Sequence, residues 1–368
     1  MNFGLARGSM ESWYAVVHPG LEPALVEELR ELGVKAQEEP GGAAFQADFA
    51  TGARIAHLAR LPSRLLLVRA RGPARSVDEL QSLVRRADWS AVLHPAARRE
   101  VSVSSSASRL HFRGSLEGKV EAMLADRLKG PRLTDRGRRP TLTQRIQLKI
   151  QDDQAVLSVD AGGDLLHRRG WRTDGGPATI RENLGAALIR LAGWDRQEPL
   201  LDPFCGTGTL AIEAALCAAG RSPFSGRKLA CAEWPGLSSF NLPKPARVPS
   251  MPLIVGSDRE PRALAAATAN AGRAGVGIRW FQQDIGDVQA PAPTGLIVTN
   301  PPYGHRLQED QAYASLGALL YRLVGWRAVF ISPRPELAAR VHPAARRLCT
   351  FSNGGLRVGV YLAEDRVR

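Results

Sequence analysis

The spacing of apolar residues divides the chain into stretches of different character. Residues 13–17 form a short extended run broken by His18-Pro19-Gly20. Leu21, Leu25, Leu29 and Leu32 then recur at helical spacing up to a stop at Gly33. After Pro73, Ser76 and Glu79 have the spacing of a capping box and predict a helix to about residue 86. Residues 100–106 alternate as a strand does, and 114–128 return to a helical pattern. Residues 143–160 predict two strands folded over Asp152-Asp153, with Ile146, Leu148 and Ile150 alternating on the first and Val156 and Val159 on the second.

Beyond residue 178 the pattern becomes strand–helix alternation, the mark of a mostly parallel α/β sheet. Strands are expected at 199–202, 253–258, 279–284, 295–300 and 327–332, and helices at 180–191, 209–219, 261–275, 310–324 and 335–341. Residues 347–364 predict an antiparallel hairpin around Asn353-Gly354-Gly355. Residues 161–178, rich in Gly, Arg and Asp, have the composition of a linker. Residues 221–252 carry six prolines and little periodicity, as an inserted surface loop does. No repeat of fixed period is present.

Length and composition add limits. At 368 residues, 44% of them hydrophobic, the chain can hold two or three domains with cores. No apolar run approaches the roughly 18 residues of a membrane helix, which excludes an integral membrane protein of that kind. Residues 1–10 show no secretory signal pattern. Cys205, Cys217, Cys231 and Cys349 are too scattered for a disulfide framework or a zinc site, so free thiols in a reducing cytoplasm are expected, with no metal. The formal charge is +13, and residues 51–150, with 21 Lys and Arg against 8 Asp and Glu, hold a surplus of the same size. A polyanion partner explains this. Genome composition with a solvated surface explains it equally well.

The chemistry concentrates in four elements. Leu200-Leu201-Asp202-Pro203-Phe204-Cys205-Gly206-Thr207-Gly208-Thr209 takes a buried strand through a glycine turn into a helix, where a ligand can approach backbone N–H groups closely. It lacks the dinucleotide GxGxxG spacing, and Asp202 in the turn suits a cationic ligand better than a pyrophosphate. Asp258 and Asp284 close two further strands, one placed for ribose hydroxyls and one for an adenine amino group. Asn300-Pro301-Pro302-Tyr303 ends another strand. Its prolines supply no N–H, so the Asn side-chain carbonyl and a backbone carbonyl are free to accept from a planar –NH2 group. Tyr303 offers a stacking face. Such acceptors hold an exocyclic amine in line with a methyl donor.

With these four elements in this order, the sequence resembles the class I S-adenosylmethionine-dependent RNA methyltransferases that carry an N-terminal THUMP domain and form N2-methylguanosine in RNA. The resemblance spans nearly the whole chain. It is strongest over 167–194, 201–215, 256–275 and 298–306, and includes the run His167-Arg168-Arg169-Gly170-Trp171-Arg172 and the insertion bearing Ala232-Glu233-Trp234-Pro235. It implies an α/β fold class: a Rossmann-like methyltransferase domain with a mostly parallel seven-stranded sheet and an antiparallel C-terminal hairpin, preceded by an α+β ferredoxin-like and THUMP region. The expected domains are 1–66 (ferredoxin-like), 67–160 (THUMP), 161–178 (linker) and 179–368 (methyltransferase, with insertion 221–252).

The resemblance also assigns roles. Asp202, Cys205, Gly206 and Gly208 would line the methionine part of S-adenosyl-L-methionine, with Pro203 and Thr207 in the same loop. Asp258 would hold its ribose and Asp284 its adenine, while Asn300, Pro301, Pro302 and Tyr303 would hold the target guanine. Thr207 stands where the family often has Ser, and His305 where an acid is common. Arg109, Arg113, Arg136, Arg138 and Arg139 are the expected RNA-binding residues, and structured RNA is the expected partner with no obligatory protein partner. Cys205 is expected to be a loop residue rather than a nucleophile, and Trp171 and Trp194 to be packing. The insertion favours 23S ribosomal RNA over transfer RNA. Adenine-N6 methylation, and RNA binding without catalysis, remain as alternatives.

Overall fold

The computed structural model describes residues 10–94, 97–128, 141, 143–173, 179–224, 227–237, 241, 250–302, 306–353 and 355–364. Tyr303, Gly304, His305, Arg136, Arg138 and Arg139 lie outside them, as do the side chains of Arg113 and of residues 306–308.

The first part of the chain runs β1 (Glu11–Val16), α1 (Glu22–Glu31), β2 (Ala36–Glu39), β3 (Gly42–Ala47), α2 (Phe49–Leu58), β4 (Arg64–Pro73), α3 (Val77–Arg86), β5 (Arg99–Ser106), α4 (Arg113–Arg127), β6 (Gln144–Gln151) and β7 (Gln154–Asp160). These strands make one sheet in the order β2-β3-β1-β4-β7-β6-β5. Strand β4 pairs antiparallel with β1 on one side and β7 on the other, so the sheet is continuous through residue 66. Local chemistry explains several boundaries. The Ser76 side chain accepts from Glu79 N at 3.3 Å, the expected cap of α3. Asp152 and Asp153 have φ of +51° and +58°, the left-handed pair of a tight hairpin turn, which short polar side chains tolerate.

The second part runs α5 (Glu182–Leu191), β8 (Leu200–Asp202), α6 (Thr209–Ala218), β9 (Ile254–Asp258), α7 (Pro261–Ala274), β10 (Arg279–Gln282), β11 (Gly295–Thr299), α8 (Arg306–Arg322), β12 (Trp326–Ser332), α9 (Pro335–Val341), β13 (Arg346–Asn353) and β14 (Leu356–Ala363). Its sheet has the order β10-β9-β8-β11-β12-β14-β13. The first five in that order are parallel, and β14 and β13 are antiparallel. The chain leaves β8 to one side toward β9 and returns on the other at β11, so β8 and β11 flank the topological switch point.

Two expectations are corrected. Residues 221–252 are not simply a surface loop. Their described part holds two 3-10 turns, Ala230–Glu233 and Pro235–Leu237, with Leu229, Cys231, Trp234 and Leu237 buried. Trp234 stacks on Trp13 of β1 at 6.1 Å and meets Phe49 edge-on at 6.4 Å, so the insertion clasps the first sheet. Single 3-10 turns lack a periodicity that sequence can show. The described part of the expected linker, residues 161–173, is packed into the fold: Leu166, Arg169 and Trp171 are fully buried.

Arg169 shows why. Its Nε donates to Glu213 Oε1 of α6 at 3.1 Å, and neither side chain is exposed. Nη2 donates to the Arg60 carbonyl at 2.5 Å and Nη1 to that of Leu166 at 2.8 Å. Arg60 approaches the same carboxylate at 3.5 Å and donates to the carbonyls of Leu216 and Arg221. Removing one member of such a group strands a buried charge, which costs about 3–5 kcal/mol. Glu213→Ala is therefore expected to lose about that much stability, read as a lowered urea midpoint; an unchanged midpoint would contradict the account.

Candidate active site

A cleft of about 550 Å³ opens at the switch point. Its walls come from the turn after β8 (Asp202 to Thr207), the ends of β9 and β10 (Asp258, Gln283, Asp284), and the end of β11 (Asn300, Pro301, Pro302). Thr179 and Ile180 before α5, Gln311, Ala312 and Ser315 of α8, and Asn353 and Leu356 of the hairpin complete it.

The turn is shaped by two glycines. Gly206 has φ +50° and a Cβ there would meet open space, whereas Gly208, at φ +86°, would bring a Cβ within 2.8 Å of the Trp280 ring. The backbone closes on itself, with Gly208 N donating to Cys205 O at 2.8 Å and Cys205 N to Ser257 O at 3.0 Å. Asp258 Oδ2 accepts from Gly206 N at 2.9 Å and Oδ1 from Glu260 N at 3.0 Å, so the end of β9 is tied to the turn. Asp284 is exposed and its Oδ1 accepts from Gly286 N at 2.9 Å.

Asp202 is 1% exposed. Its Oδ1 accepts from the Thr299 hydroxyl at 2.7 Å and from Phe204 N at 3.3 Å. Burial pushes its carboxyl up to about 7, against the opposing pull of those two bonds; the neighbouring Asp258 charge adds to the rise. Burial also pushes the Cys205 thiol up, with the Asp202 and Asp258 charges acting in the same direction, so this sulfur is held as an inert thiol. On the acceptor side, Asn300 Oδ1 is buried with no hydrogen-bond partner among the described residues. The Thr207 and Ser257 hydroxyls beside the turn share that condition. Unsatisfied buried polar atoms are costly, and two of these residues, Asn300 and Thr207, line the cleft where a polar ligand would complete the bonding.

The structure thus brings Asp202, Pro203, Cys205, Gly206, Thr207, Asp258, Asp284, Asn300, Pro301 and Pro302 to one cleft. Gly208 sits beneath it as the N-cap of α6. Arg109 is elsewhere, 73% exposed and 3.5 Å from Asp153 at the β6–β7 turn. Among the described residues no group of three His, Cys, Asp or Glu is placed to hold a metal, and no helix is long and apolar enough to cross a membrane. Sequence reasoning missed Thr299 and Ser257, each one residue before an expected key residue. It also missed Thr179, Ile180, Asn353 and Leu356, which reach the cleft from segments read only as linker, helix start or hairpin.

The sheet order, the switch-point cleft and the glycine turn beneath a buried acid define the Rossmann-like methyltransferase fold. More narrowly, residues 169–331 match the model of the UPF0020 family, described as the RMKL-like methyltransferase domain, and residues 12–66 match that of the RlmL ferredoxin-like domain. The chain is 36% identical to the ribosomal RNA large subunit methyltransferase K/L of Syntrophotalea carbinolica, over 94% of this chain and 52% of that protein. It thus spans about half the length of the K/L proteins it matches. It is 28% identical to YpsC of Bacillus subtilis, provisionally named an RNA methyltransferase, over 95% of this chain and 94% of that one. Among solved structures, SMU.472 complexed with SAH superposes with a TM-score of 0.84 at 26% identity, covering 98% of this chain and 100% of that one.

The packing under the turn is tight. A Cβ at Gly256 of β9 would lie 2.3 Å from the Trp280 ring and 3.2 Å from the Cys205 Cβ. Gly256→Ala is expected to cost about 1–3 kcal/mol by overpacking and to displace the turn. A thermal melt matching the parent would overturn that expectation.

Proposed function

We propose that this protein is an S-adenosylmethionine-dependent RNA methyltransferase that modifies the exocyclic 2-amino group of a guanosine in 23S ribosomal RNA. The observation that carries the reading is the buried Asn300 Oδ1 at the end of β11, without a hydrogen-bond partner among the described residues and in the same cleft as Asp202, Asp258 and Asp284. An amine acceptor and a cation-binding acid belong to one cavity.

The residues fit the cofactor by their donor and acceptor chemistry. Asp202 is the carboxylate for the positive charge of the methionine part, in a loop shared with Pro203, Cys205, Gly206, Thr207 and Gly208. Asp258 is assigned to the ribose and Asp284 to the adenine. When bound, S-adenosylmethionine supplies an electrophilic methyl group. Asn300 Oδ1 accepts one N–H of the guanine amine and a backbone carbonyl of the Pro301-Pro302 turn accepts the other, which aims the nitrogen lone pair along the line of attack. Tyr303 is assigned to stack on the base. Once the nitrogen has accepted the methyl group, the amine would shed its extra proton to solvent. A guanine inside a stack must first be splayed out, so the substrate is structured RNA offering an unpaired or flipped guanosine.

Within this reading the chain divides at 1–66, 67–160, 161–178 and 179–368, with insertion 221–252. The second unit grips RNA through Arg109, Arg113, Arg136, Arg138 and Arg139. The setting is the cytoplasm. The RlmL-type ferredoxin-like domain and the K/L relatives support ribosomal over transfer RNA. Transfer of labelled methyl onto total RNA, followed by nucleoside analysis, is the test. Label in N2-methylguanosine of 23S RNA is expected, and label in methyladenosine would overturn the assignment.

Asn300→Ala is expected to reduce kcat by about 10²–10³-fold while leaving cofactor affinity within about twofold by calorimetry; full retained activity would remove Asn300 from its role. The Asp202 carboxyl, raised to about 7, gives a pH signature. Above that pH it is ionised and attracts the cationic cofactor; below it the group is protonated and the attraction is lost. Affinity is therefore expected to fall as pH drops from about 8 to 6, approaching tenfold per unit below the titration point. Asp202→Asn should flatten that profile. A flat profile in the parent protein would contradict it.

A further inference from the structure

His18, His167 and Arg181 come from three separate parts of the chain: the turn after β1, the segment after β7 and the residue before α5. In the fold Arg181 meets His18, and His167 lies near enough to feel the charge of Arg181. Arg181 Nη1 lies 3.4 Å from His18 Nε2. Because a guanidinium only donates, that ring nitrogen must be bare, which leaves the His18 proton on Nδ1. His167 Nδ1 is buried and has no hydrogen-bond partner among the described residues.

Among the described residues, the charges around this cluster are unbalanced. Burial and then Arg181, Arg169, Arg168 and His18 depress His167 to about 4, and burial and Arg181 depress His18. The carboxylates on the same segments already have partners. Asp164 is 3.1 Å from Arg168, Glu213 is 3.1 Å from Arg169, and Glu182 is 3.2 Å from Arg172. Arg181 is the cation left over. It is exposed and makes no side-chain cap to α5, and no ion pair joins it to a described carboxylate. Among the described residues, the neighbour that Arg181 contacts is a neutral imidazole rather than an anion.

Its location supplies a reason. Ile180, the preceding residue, lines the cleft. The His18-Pro19-Gly20 turn abuts the hairpin, since a Cβ at Gly20 would lie 2.0 Å from Thr350 O. Three residues beyond Thr350, Asn353 lines the cleft as well. The cluster therefore adjoins two elements that wall the cleft, the start of α5 and the C-terminal hairpin.

We propose that Arg181, with His18 and His167, forms a phosphodiester-binding subsite at the cleft mouth that holds the backbone of the RNA strand carrying the target base. This deepens the RNA methyltransferase reading and rests on it. The guanidinium supplies the charge and a forked pair of donors, His18 fixes its direction, and the His18 Nδ1–H adds a neutral donor to the phosphate oxygens. The phosphate supplies the anion that Arg181 lacks among the described residues.

The test is binding of unmodified 23S ribosomal RNA transcript across a series of salt concentrations, with methyl transfer measured in parallel. Arg181→Ala is expected to weaken RNA binding about tenfold at low salt and to reduce the slope of log affinity against log salt by about 1. Arg181→Lys should retain the slope with weakened affinity, since charge survives and the fork does not. His18→Ala, which leaves α5 untouched, should weaken RNA binding to a smaller extent, and cofactor affinity should stay at the parent value throughout. RNA affinity and slope equal to the parent's in both alanine variants would overturn the subsite. A parent protein that binds the RNA but transfers no methyl to it would instead overturn the enzymatic reading, while the slopes would still decide the subsite.

Discussion

The carboxylate of Glu213 lies on α6, the helix that begins at the glycine turn, and it has no exposure to water. A charge in that position is tolerable only with cations and hydrogen bonds around it. It draws them from two other places: Arg169 in the segment after the first sheet, and Arg60 after α2. The requirement to satisfy one buried acid thus converges the first sheet, the connecting segment and the cleft-bearing helix on a single point. Trp234 of the insertion makes a second, apolar tie by stacking on Trp13. Asn183 of α5 adds a third by donating to Leu61 O at 3.2 Å. The cleft is therefore built against the N-terminal half rather than hung from it.

Within the cleft, the same physics divides the walls. On the turn side, burial raises the Asp202 carboxyl while Thr299 and Phe204 hold its orientation, leaving an acid that a cationic ligand can ionise. On the β11 side, two prolines withhold N–H donors and leave the Asn300 carbonyl oxygen without a partner among the described residues. One wall favours positive charge and the other favours an amine donor. That pairing suits transfer of a group from a cation to a nitrogen.

Much of this was legible in the sequence because its signals are local. The strand–helix alternation, the left-handed pair Asp152-Asp153, the Ser76 cap and the hairpin at 353–355 each depend on neighbouring residues. The cleft acids were legible because open α/β sheets gather their ligand groups at strand ends. Thr299 escaped notice because a threonine ending an apolar strand looks like any β-branched strand residue. Trp234 escaped because a lone aromatic in a proline-rich stretch has no period. Residues 161–178 looked like a spacer because arginine and glycine read as solvated until a buried carboxylate is placed opposite them.

The order of elements, the parallel character of the second sheet, the glycine turn and the acids that close its strands are all written in local sequence. These follow from periodicity, backbone preference and side-chain type over a few residues at a time. Which distant residues share an environment emerges with the folded chain: Arg60 with Arg169 and Glu213, Trp13 with Trp234, and His18 with His167 and Arg181. Burial and charge compensation depend on what the folded chain brings alongside, and residues more than a hundred positions apart carry no local trace of that meeting.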